Sequence, residues 1–397
     1  MATIHAAERV RSFGTSIFAE VSALAIQHAA VNLGQGFPDF AGPEWLKVAA
    51  IEAINADLNQ YAPYLGLPRL REAIAATWQA NGWRALDPAH EVTITSGATE
   101  ALFAATQALI NPGDEVIIFE PFYDAYVPDV VMAGGVPRYV RMRPPHPAGP
   151  QTWHFDPAEL AAAFSPRTRL LFLNSPHNPT GKVFTPAELA QIAALCIEHD
   201  VLVIADEVYD QIIFDGRTHI PIATLPGMWE RTLTINSTGK TFSLTGWKIG
   251  YVVAAPDLSA ALRSAHQWIT FASATPLQAA VAVGLEHAAE RGYYEQLRVE
   301  YLERREVLRQ VLHDVGLPPL PVEGSYFMLA DISQTDCATD RDFCRWLTSE
   351  VGVAAIPLSP FYANHDDLPL LVRFCFAKKL ETLRAAAGRL EIMNHQR

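Results

Sequence analysis

The sequence predicts an α/β fold: one large domain around a mostly parallel central sheet flanked by helices, plus a smaller α+β domain made from the N-terminal arm and the C-terminal segment. Three observations lead there. Short continuous apolar runs alternate with helical stretches between residues 91 and 235, the mark of strands covered on both faces. The chain has 397 residues, more than one small core needs. Turns rich in glycine, proline and polar side chains stand directly after several of those runs, where an open parallel sheet places its ligands.

The elements follow in order. Residues 1–40 read as an arm, with a helical segment from Ile17 to His28 and then an irregular stretch from Val31 to Phe40 marked by glycine and proline. A helix is expected from Pro43 to about Ala56. The segment Tyr61–Gly66 interrupts it, and Pro68 opens another helix through Ala80, because proline suits the first helical turn. Glu91–Thr95, Glu115–Phe119, Arg169–Leu173, Val201–Ala205 and Arg231–Ile235 are the expected strands, with helices at Gly97–Leu109 and Pro186–His199. Strand–helix–strand links of this kind take right-handed crossovers. A long charged helix, Gly292–Arg309, leads to the strands Tyr326–Ala330 and Leu371–Phe376 and a closing helix, Leu380–Met393. The expected division is 1–40 as arm and part of the small domain, 41–290 as the large domain, and 291–397 as the rest of the small domain.

Charge and cysteine content narrow the function. Lysine and arginine total 30 against 43 aspartate and glutamate, a net charge of -13, which argues against wholesale binding of nucleic acid or anionic membrane. Half the residues are hydrophobic and 18% are charged, as in a packed globular enzyme. Cys196, Cys337, Cys344 and Cys375 form no C-x-x-C pair and stand at no metal-ligand spacing with histidine, so buried reduced thiols and no metal site are expected. Met1–Arg9 holds no apolar run of signal length, and no stretch reaches the ~18 apolar residues of a membrane span. A soluble cytoplasmic protein is the expectation.

The informative stretch is Ser237-Thr238-Gly239-Lys240-Thr241-Phe242, after the strand ending at Ile235. A lysine held at a strand end among small hydroxyl side chains is placed to form a Schiff base, with a desolvated amine able to shuttle a proton. Ser237 and Lys248 could cradle a phosphate, Lys248 as a point charge. Thr95-Ser96-Gly97-Ala98-Thr99-Glu100 joins a strand to a helix start, whose free N–H groups and dipole attract a phosphate; an ordinary capped helix accounts for it equally. Tyr123, in Glu120–Tyr126, could stack on a heteroaromatic ring or be a plain core aromatic. Asn174 and Asn178 lie in the rigid turn Asn174-Ser-Pro-His-Asn-Pro-Thr-Gly-Lys182. There Asn178 could present its amide to a phenolate oxygen and Asn174 could serve a substrate carboxylate. Asp206-Glu-Val-Tyr209 closes a buried strand. A carboxylate there needs a cation: a protonated pyridine nitrogen or Lys240 would serve, or it caps the next turn. Tyr209 could hydrogen-bond the ring phenolate. Arg373, inside the apolar run Val372–Phe376, is costly to bury without an anion; a substrate α-carboxylate and an internal salt bridge both answer.

The set NSPHNPTG, DEVYD, STGKTFSLTGWK and RFCFAKK resembles the class I/II aminotransferases of PLP (pyridoxal phosphate) fold type I, over nearly the whole chain from Leu33. With NLGQGFPDF and EPFYDAY, it is similar to the subgroup of kynurenine/glutamine (transaminase K) and bacterial methionine aminotransferases. The resemblance implies pyridoxal 5'-phosphate bound covalently by Lys240. It implies Asp206 on the pyridine nitrogen, Asn178 and Tyr209 on the phenolate oxygen, and Tyr123 on the ring. Gly97, Ala98, Thr99, Ser237 and Lys248 would hold the phosphate, and Gly36, Asn174 and Arg373 the α-carboxylate. In this family Tyr61 reaches the neighbouring subunit's cofactor, so a homodimer with shared active sites is implied. Many class I enzymes carry arginine where this chain has Lys248, and the named subgroup commonly has lysine. Phe18 stands where some members carry a tryptophan over the substrate.

The expected activity is transfer of an amino group from an L-amino acid to a 2-oxo acid by a two-stage exchange. The N-terminal arm offers no obvious second arginine for a dicarboxylate. Phe18, Tyr64, Phe271 and Tyr326 are expected pocket walls, so neutral, aromatic or sulfur-containing donors are expected, such as methionine, phenylalanine, glutamine or kynurenine. A cysteine-S-conjugate or cystathionine-type C–S β-lyase is the alternative on the same scaffold. A cofactor-sensing regulator would need a DNA-binding extension that the acidic chain does not show before residue 30.

Overall fold

The computed structural model describes residues 6–11 and 13–395; the first five residues of the expected arm lie outside them. The strands are β1 (Val31–Asn32), β2 (Val92–Thr95), β3 (Glu115–Glu120), β4 (Val136–Arg143), β5 (His154–Phe155), β6 (Thr168–Asn174), β7 (Leu202–Asp206), β8 (Thr232–Ser237), β9 (Gly250–Ala254), β10 (Phe327–Asp331), β11 (Val353–Ala354), β12 (Ile356–Pro357) and β13 (Leu371–Cys375). Eight form one sheet in the order β2-β9-β8-β7-β6-β3-β4-β5. Its centre, β8-β7-β6-β3-β4, is parallel. β9 runs antiparallel between β2 and β8, and β5 is antiparallel to β4.

Burial decides that the apolar runs are strands. Val116 and Ile118 of β3 pack with the helices Gly97–Leu109, Tyr126–Met132 and Pro256–Ile269; Ile117 and Phe119 pack on the other face with the helix Pro186–Glu198. The side-chain period of two sends alternate residues to opposite helical layers. At roughly 1.5–3 kcal/mol for each buried Val, Leu, Ile or Phe, this outweighs intrinsic strand preference, which spans about 1 kcal/mol. Local signals set the helix ends. Thr185 Oγ1 accepts from Glu188 N at 3.2 Å, and Glu188 Oε2 accepts from Thr185 N at 2.8 Å, a reciprocal cap in front of Pro186.

Several expected bounds shift. The long charged helix is Tyr293–Asp314, capped by Gly292 at φ 64°, so it starts one residue later and runs five further than expected. β8 continues through Ser237, and β7 through Asp206. β4 and β9 and the helices Pro256–Ile269 and Thr275–His287 are absent from the sequence reading. β4 carries three arginines and is mostly not buried, so no apolar run betrays it. β9 is an apolar run, Gly250–Ala254, with only short helical turns between it and β8, outside the strand–helix alternation.

A second sheet, β10-β13-β12, is antiparallel and aligns Leu329, Arg373 and Ile356 side by side. β1 pairs with β11, and Leu33 O accepts from Cys375 N at 2.7 Å. The N-terminal arm is thereby stitched to the C-terminal segment. No helix among the described residues is long and apolar enough to cross a membrane.

One backbone contact fixes the start of the helix Gly97–Leu109. A Cβ at Gly250 would stand 2.6 Å from the Gly97 carbonyl carbon and 2.8 Å from the Ala98 nitrogen. Gly250→Ala is expected to destabilise the protein by about 1–3 kcal/mol, as overpacking does. Urea unfolding measures it, and an unchanged midpoint would show that the two backbones part freely.

Candidate active site

The carboxyl ends of β2, β3, β6, β7 and β8 open on one cavity of about 360 Å³. Its lining brings together Gly97, Ala98, Thr99, Tyr123, Asn174, Asn178, Asp206, Tyr209, Ser237, Lys240 and Lys248 from around the large sheet. Arg373 enters from the middle of β13, and Phe18 and Gly36 from the arm. Tyr61 is not among them: it is 85% exposed and packs edge-to-face on Phe271 at 5.4 Å. The pocket-wall expectation is corrected for three of its four residues. Phe18 lines the cavity, whereas Tyr64, Phe271 and Tyr326 do not. Tyr64 and Phe271 are exposed on this chain, and Tyr326 is buried with its hydroxyl against Lys240 Nζ.

Lys240 sits in a single helical turn, Thr238–Thr241, immediately after β8. Its Nζ donates to the Tyr326 hydroxyl at 2.8 Å and lies 3.4 Å from Gly36 O. Burial lowers its pKa to about 8, with Asp206 pulling the other way. No ion pair joins Lys240 to Asp206 among the described residues. The Asp206 carboxylate instead accepts from the Tyr126 hydroxyl at 2.6 Å. Burial raises the Asp206 pKa to about 6, while the Tyr126 bond and the Val208 amide lower it. Tyr126 is the functional neighbour that sequence reasoning missed. It lies three residues after Tyr123 in the same motif and stacks on Phe172 at 4.7 Å, so its ring reads as core.

The Asn174–Lys182 turn is built from its own side chains. Asn174 Oδ1 accepts from Asn178 N at 2.7 Å, and Asn174 Nδ2 donates to Asp206 O at 2.8 Å. Asn174 therefore ties two strand ends together. His177 is buried against Thr180, and desolvation lowers its pKa to about 3, so it serves the turn as a neutral ring. Arg373 is 1% exposed. Nη1 donates to Asn178 Oδ1 at 2.9 Å and Nη2 to Gly34 O at 3.1 Å, while Nε has no partner among the described residues. Its guanidinium stacks over Phe327 at 4.0 Å and Phe18 at 5.0 Å. No carboxylate pairs with it among the described residues. The internal salt bridge weighed for Arg373 is thus missing, and burial lowers its pKa.

At the other end of the cavity, Gly97 adopts φ 75° and opens a thirteen-residue helix. Lys248 adopts φ 55°, and a Cβ on Gly97 would lie 3.4 Å from its Nζ. Glycine leaves that space between an ammonium and a helix N-terminus, a setting suited to phosphate. Glu100, one turn on, accepts from Ser96 N at 3.0 Å and faces His266 Nδ1 at 2.9 Å.

The family model described as aminotransferase class I and II matches residues 29–390. The chain belongs to the class I and II aminotransferases. It is 45% identical over 384 residues to a methionine aminotransferase of Escherichia coli, covering 96% of this chain and 97% of that protein. It is 42% identical to kynurenine–oxoglutarate transaminase 1 of Mus musculus, covering 97% and 96%. Among solved structures, the methionine aminotransferase of Escherichia coli superposes with a TM-score of 0.92 at 43% identity, over 98% of this chain and all of that one. The N-succinyldiaminopimelate aminotransferase of Mycobacterium tuberculosis gives 0.94 at 42%, again over 98% and 100%. This aminotransferase uses pyridoxal 5'-phosphate to move an amino group between amino acids and 2-oxo acids. The α/β fold of the aminotransferase fold type I is the one expected.

Tyr126→Phe is expected to push the Asp206 pKa further up and weaken cofactor retention about tenfold, the scale of a bond to a charged group. Absorbance titration of the cofactor measures it. In the cofactor-free protein the Asp206 carboxyl is harder to ionise folded than unfolded. Its contribution favours the folded state below about pH 4 and is lost as pH rises through about 6. Asp206→Asn should flatten that part of the stability profile, measured as urea midpoints.

Proposed function

We propose that this enzyme transfers the amino group of neutral L-amino acids, aromatic or sulfur-containing, to a 2-oxo acid. The observation that carries the reading is one cavity holding a desolvated Lys240 amine and an Arg373 guanidinium with no carboxylate partner among the described residues. The first is a nucleophile and proton carrier; the second is a site for an α-carboxylate. The same residues fit the cofactor. Lys240 suits its aldehyde, and Asp206 supplies an anion for the ring nitrogen. Tyr123 offers a face for the ring, and the free amide of Asn178 and the Tyr209 hydroxyl suit the phenolate oxygen. Gly97, Ala98, Thr99, Ser237 and Lys248 form the phosphate end.

Bound there, pyridoxal phosphate supplies a carbonyl that receives the amino group and a ring that stores the electrons released at Cα. The chain's own residues do the rest. Arg373 fixes the carboxylate and so orients Cα toward Lys240. Asn178, held by Arg373, couples the two ends of that arrangement. With a pKa of about 8, Lys240 can take a proton at one atom and return it at another near neutral pH. Phe18, Phe37 and Phe327 present apolar faces to the side chain and exclude water.

Charge balance in the cavity supports the substrate class. Its lining includes Arg373 but no second arginine among the described residues. The named activities of the Escherichia coli and mouse relatives point to methionine and kynurenine. The Mycobacterium tuberculosis relative acts, by its name, on a succinylated substrate, and this chain's own contribution to the lining holds no second arginine among the described residues for an added carboxylate. The β-lyase alternative gains no support from these relatives.

The reading includes a homodimer in the cytoplasm. Tyr61, Trp268, Ile269 and Phe271 are large apolar side chains left exposed on one chain, and a second copy would cover such a surface. Four free cysteines suit a reducing compartment. It also retains the division into 1–40 with 291–397 around 41–290. Pairing of β1 with β11 and of Leu33 with Cys375 supports it.

Lys240→Ala is expected to abolish transfer, a loss of at least about 10³-fold on the scale of general acid–base and covalent catalysis. Methionine, phenylalanine and kynurenine should exceed aspartate and glutamate in kcat/KM by about tenfold or more, the worth of one buried charge mismatch. A preference for the acidic donors would overturn the substrate class. Given an amino acid alone, the enzyme should change its absorbance once per site and stop. Continued release of pyruvate and ammonia would mark the lyase.

A further inference from the structure

We propose that Lys378 is a positioning residue for the amino-acid substrate: by holding the carbonyls on either side of Gly36 it aims the Gly36 N–H at the substrate carboxylate. The proposal rests on the reading of Gly36 and Arg373 as the carboxylate site.

Lys378 follows β13 in the stretch RFCFAKK and is 3% exposed. No carboxylate pairs with it among the described residues. Its Nζ donates to Gln35 O at 3.2 Å and to Phe37 O at 2.9 Å, and lies 5.1 Å from the Phe37 ring centre. Burying an ammonium without a counter-ion carries a desolvation cost. Two neutral carbonyls offset that only in part, so the arrangement is a poor way merely to tether a loop.

The surrounding bonds give it a direction. Gly34 N and Gln35 N both donate to Asn32 Oδ1, at 2.9 and 3.1 Å. Gly34 O accepts from Arg373 Nη2, and Gly36 O accepts from the Tyr326 hydroxyl at 2.7 Å. Four successive carbonyls, from Gly34 to Phe37, are therefore each claimed by a side chain. The N–H groups of Gly36 and Phe37 have no acceptor among the described residues. The Gln35–Gly36 peptide is trans and planar, so its N–H points opposite its C=O. Pinning Gln35 O on Lys378 thus sends the Gly36 N–H to the other side. Gly36 and Arg373 line the same cavity. A Cβ at Gly36 would fall 2.7 Å from Phe327 Cζ, so the backbone is seated directly on the cavity floor.

The test compares Lys378→Met and Lys378→Arg with the parent, all loaded with cofactor. Calorimetry measures the Kd of 3-phenylpropanoate and of 3-phenylpropanamide, probes that share a shape and differ in the charge of one end. Lys378→Met should weaken the acid about tenfold and the amide less than about twofold, the scale of one charge-assisted bond. KM for phenylalanine should rise similarly, with kcat within about threefold, as for lost uniform binding. Lys378→Arg should recover most of the discrimination. Equal weakening of acid and amide, or no change in either, would overturn the proposal. If Lys378→Met does not fold, Lys378→Gln, which keeps an uncharged NH2 donor group, is read by the same criteria. Arg373→Lys separates the two levels. If it leaves acid and amide discrimination intact, the carboxylate site itself is misplaced; if it destroys discrimination while Lys378→Met preserves it, Lys378 alone loses its role.

Discussion

Three ionisable side chains share one cavity without neutralising one another. Lys240, Asp206 and Arg373 are each desolvated, and no ion pair among the described residues joins any two of them. Direct pairing would be the easiest relief for buried charge. The fold prevents it by assigning each a neutral partner: Tyr326 for Lys240, Tyr126 for Asp206, Asn178 for Arg373. The charges stay available to a ligand because the scaffold meets them only with neutral groups: hydroxyls, amides and backbone carbonyls.

Holding such groups apart requires stiff supports from several directions. Asp206 and Ser237 end adjacent strands whose flanks are buried on both faces, and Asn174 ends the next strand over. Arg373 comes from a different sheet and arrives through the middle of a strand between β10 and β12. The arm closes the remaining side through Gly34–Phe37. Its contacts are side chains gripping backbone, so its geometry depends on Tyr326, Arg373 and Lys378, which lie 290 to 343 positions away in the chain. This is a preorganised site in the ordinary sense: its polar groups are oriented before substrate arrives.

Much of this was legible in the sequence, for definite reasons. β3, β6 and β7 announced themselves because they are apolar runs with special residues at one end, and β8 because Leu233 and Ile235 alternate with threonines ahead of the Ser237–Phe242 stretch. Lys240, Asp206 and Asn178 were found because each is a polar residue directly beyond such a run. Tyr126 was not, because an aromatic ring on a short helix looks like packing, and only coordinates show its hydroxyl on Asp206. Tyr64 and Phe271 do not line the cavity of their own chain: both are aromatic, and both lie on its surface. β4 escaped because its arginines hide its strand, and β9 because it breaks the alternation on which the sheet was read. Lys378 stood in a quoted motif, yet nothing in a sequence says that a lysine faces carbonyls and not solvent.

Desolvation of Lys240 has a cost outside the catalytic cycle. With a pKa of about 8, a tenth or so of these amines are uncharged at neutral pH, against well under a thousandth for an ordinary lysine. A freshly synthesised chain that has not met its vitamin therefore carries an unusually reactive amine in an open cleft. Sugars, glyoxal-type metabolites and other stray carbonyls of the cell would compete for it.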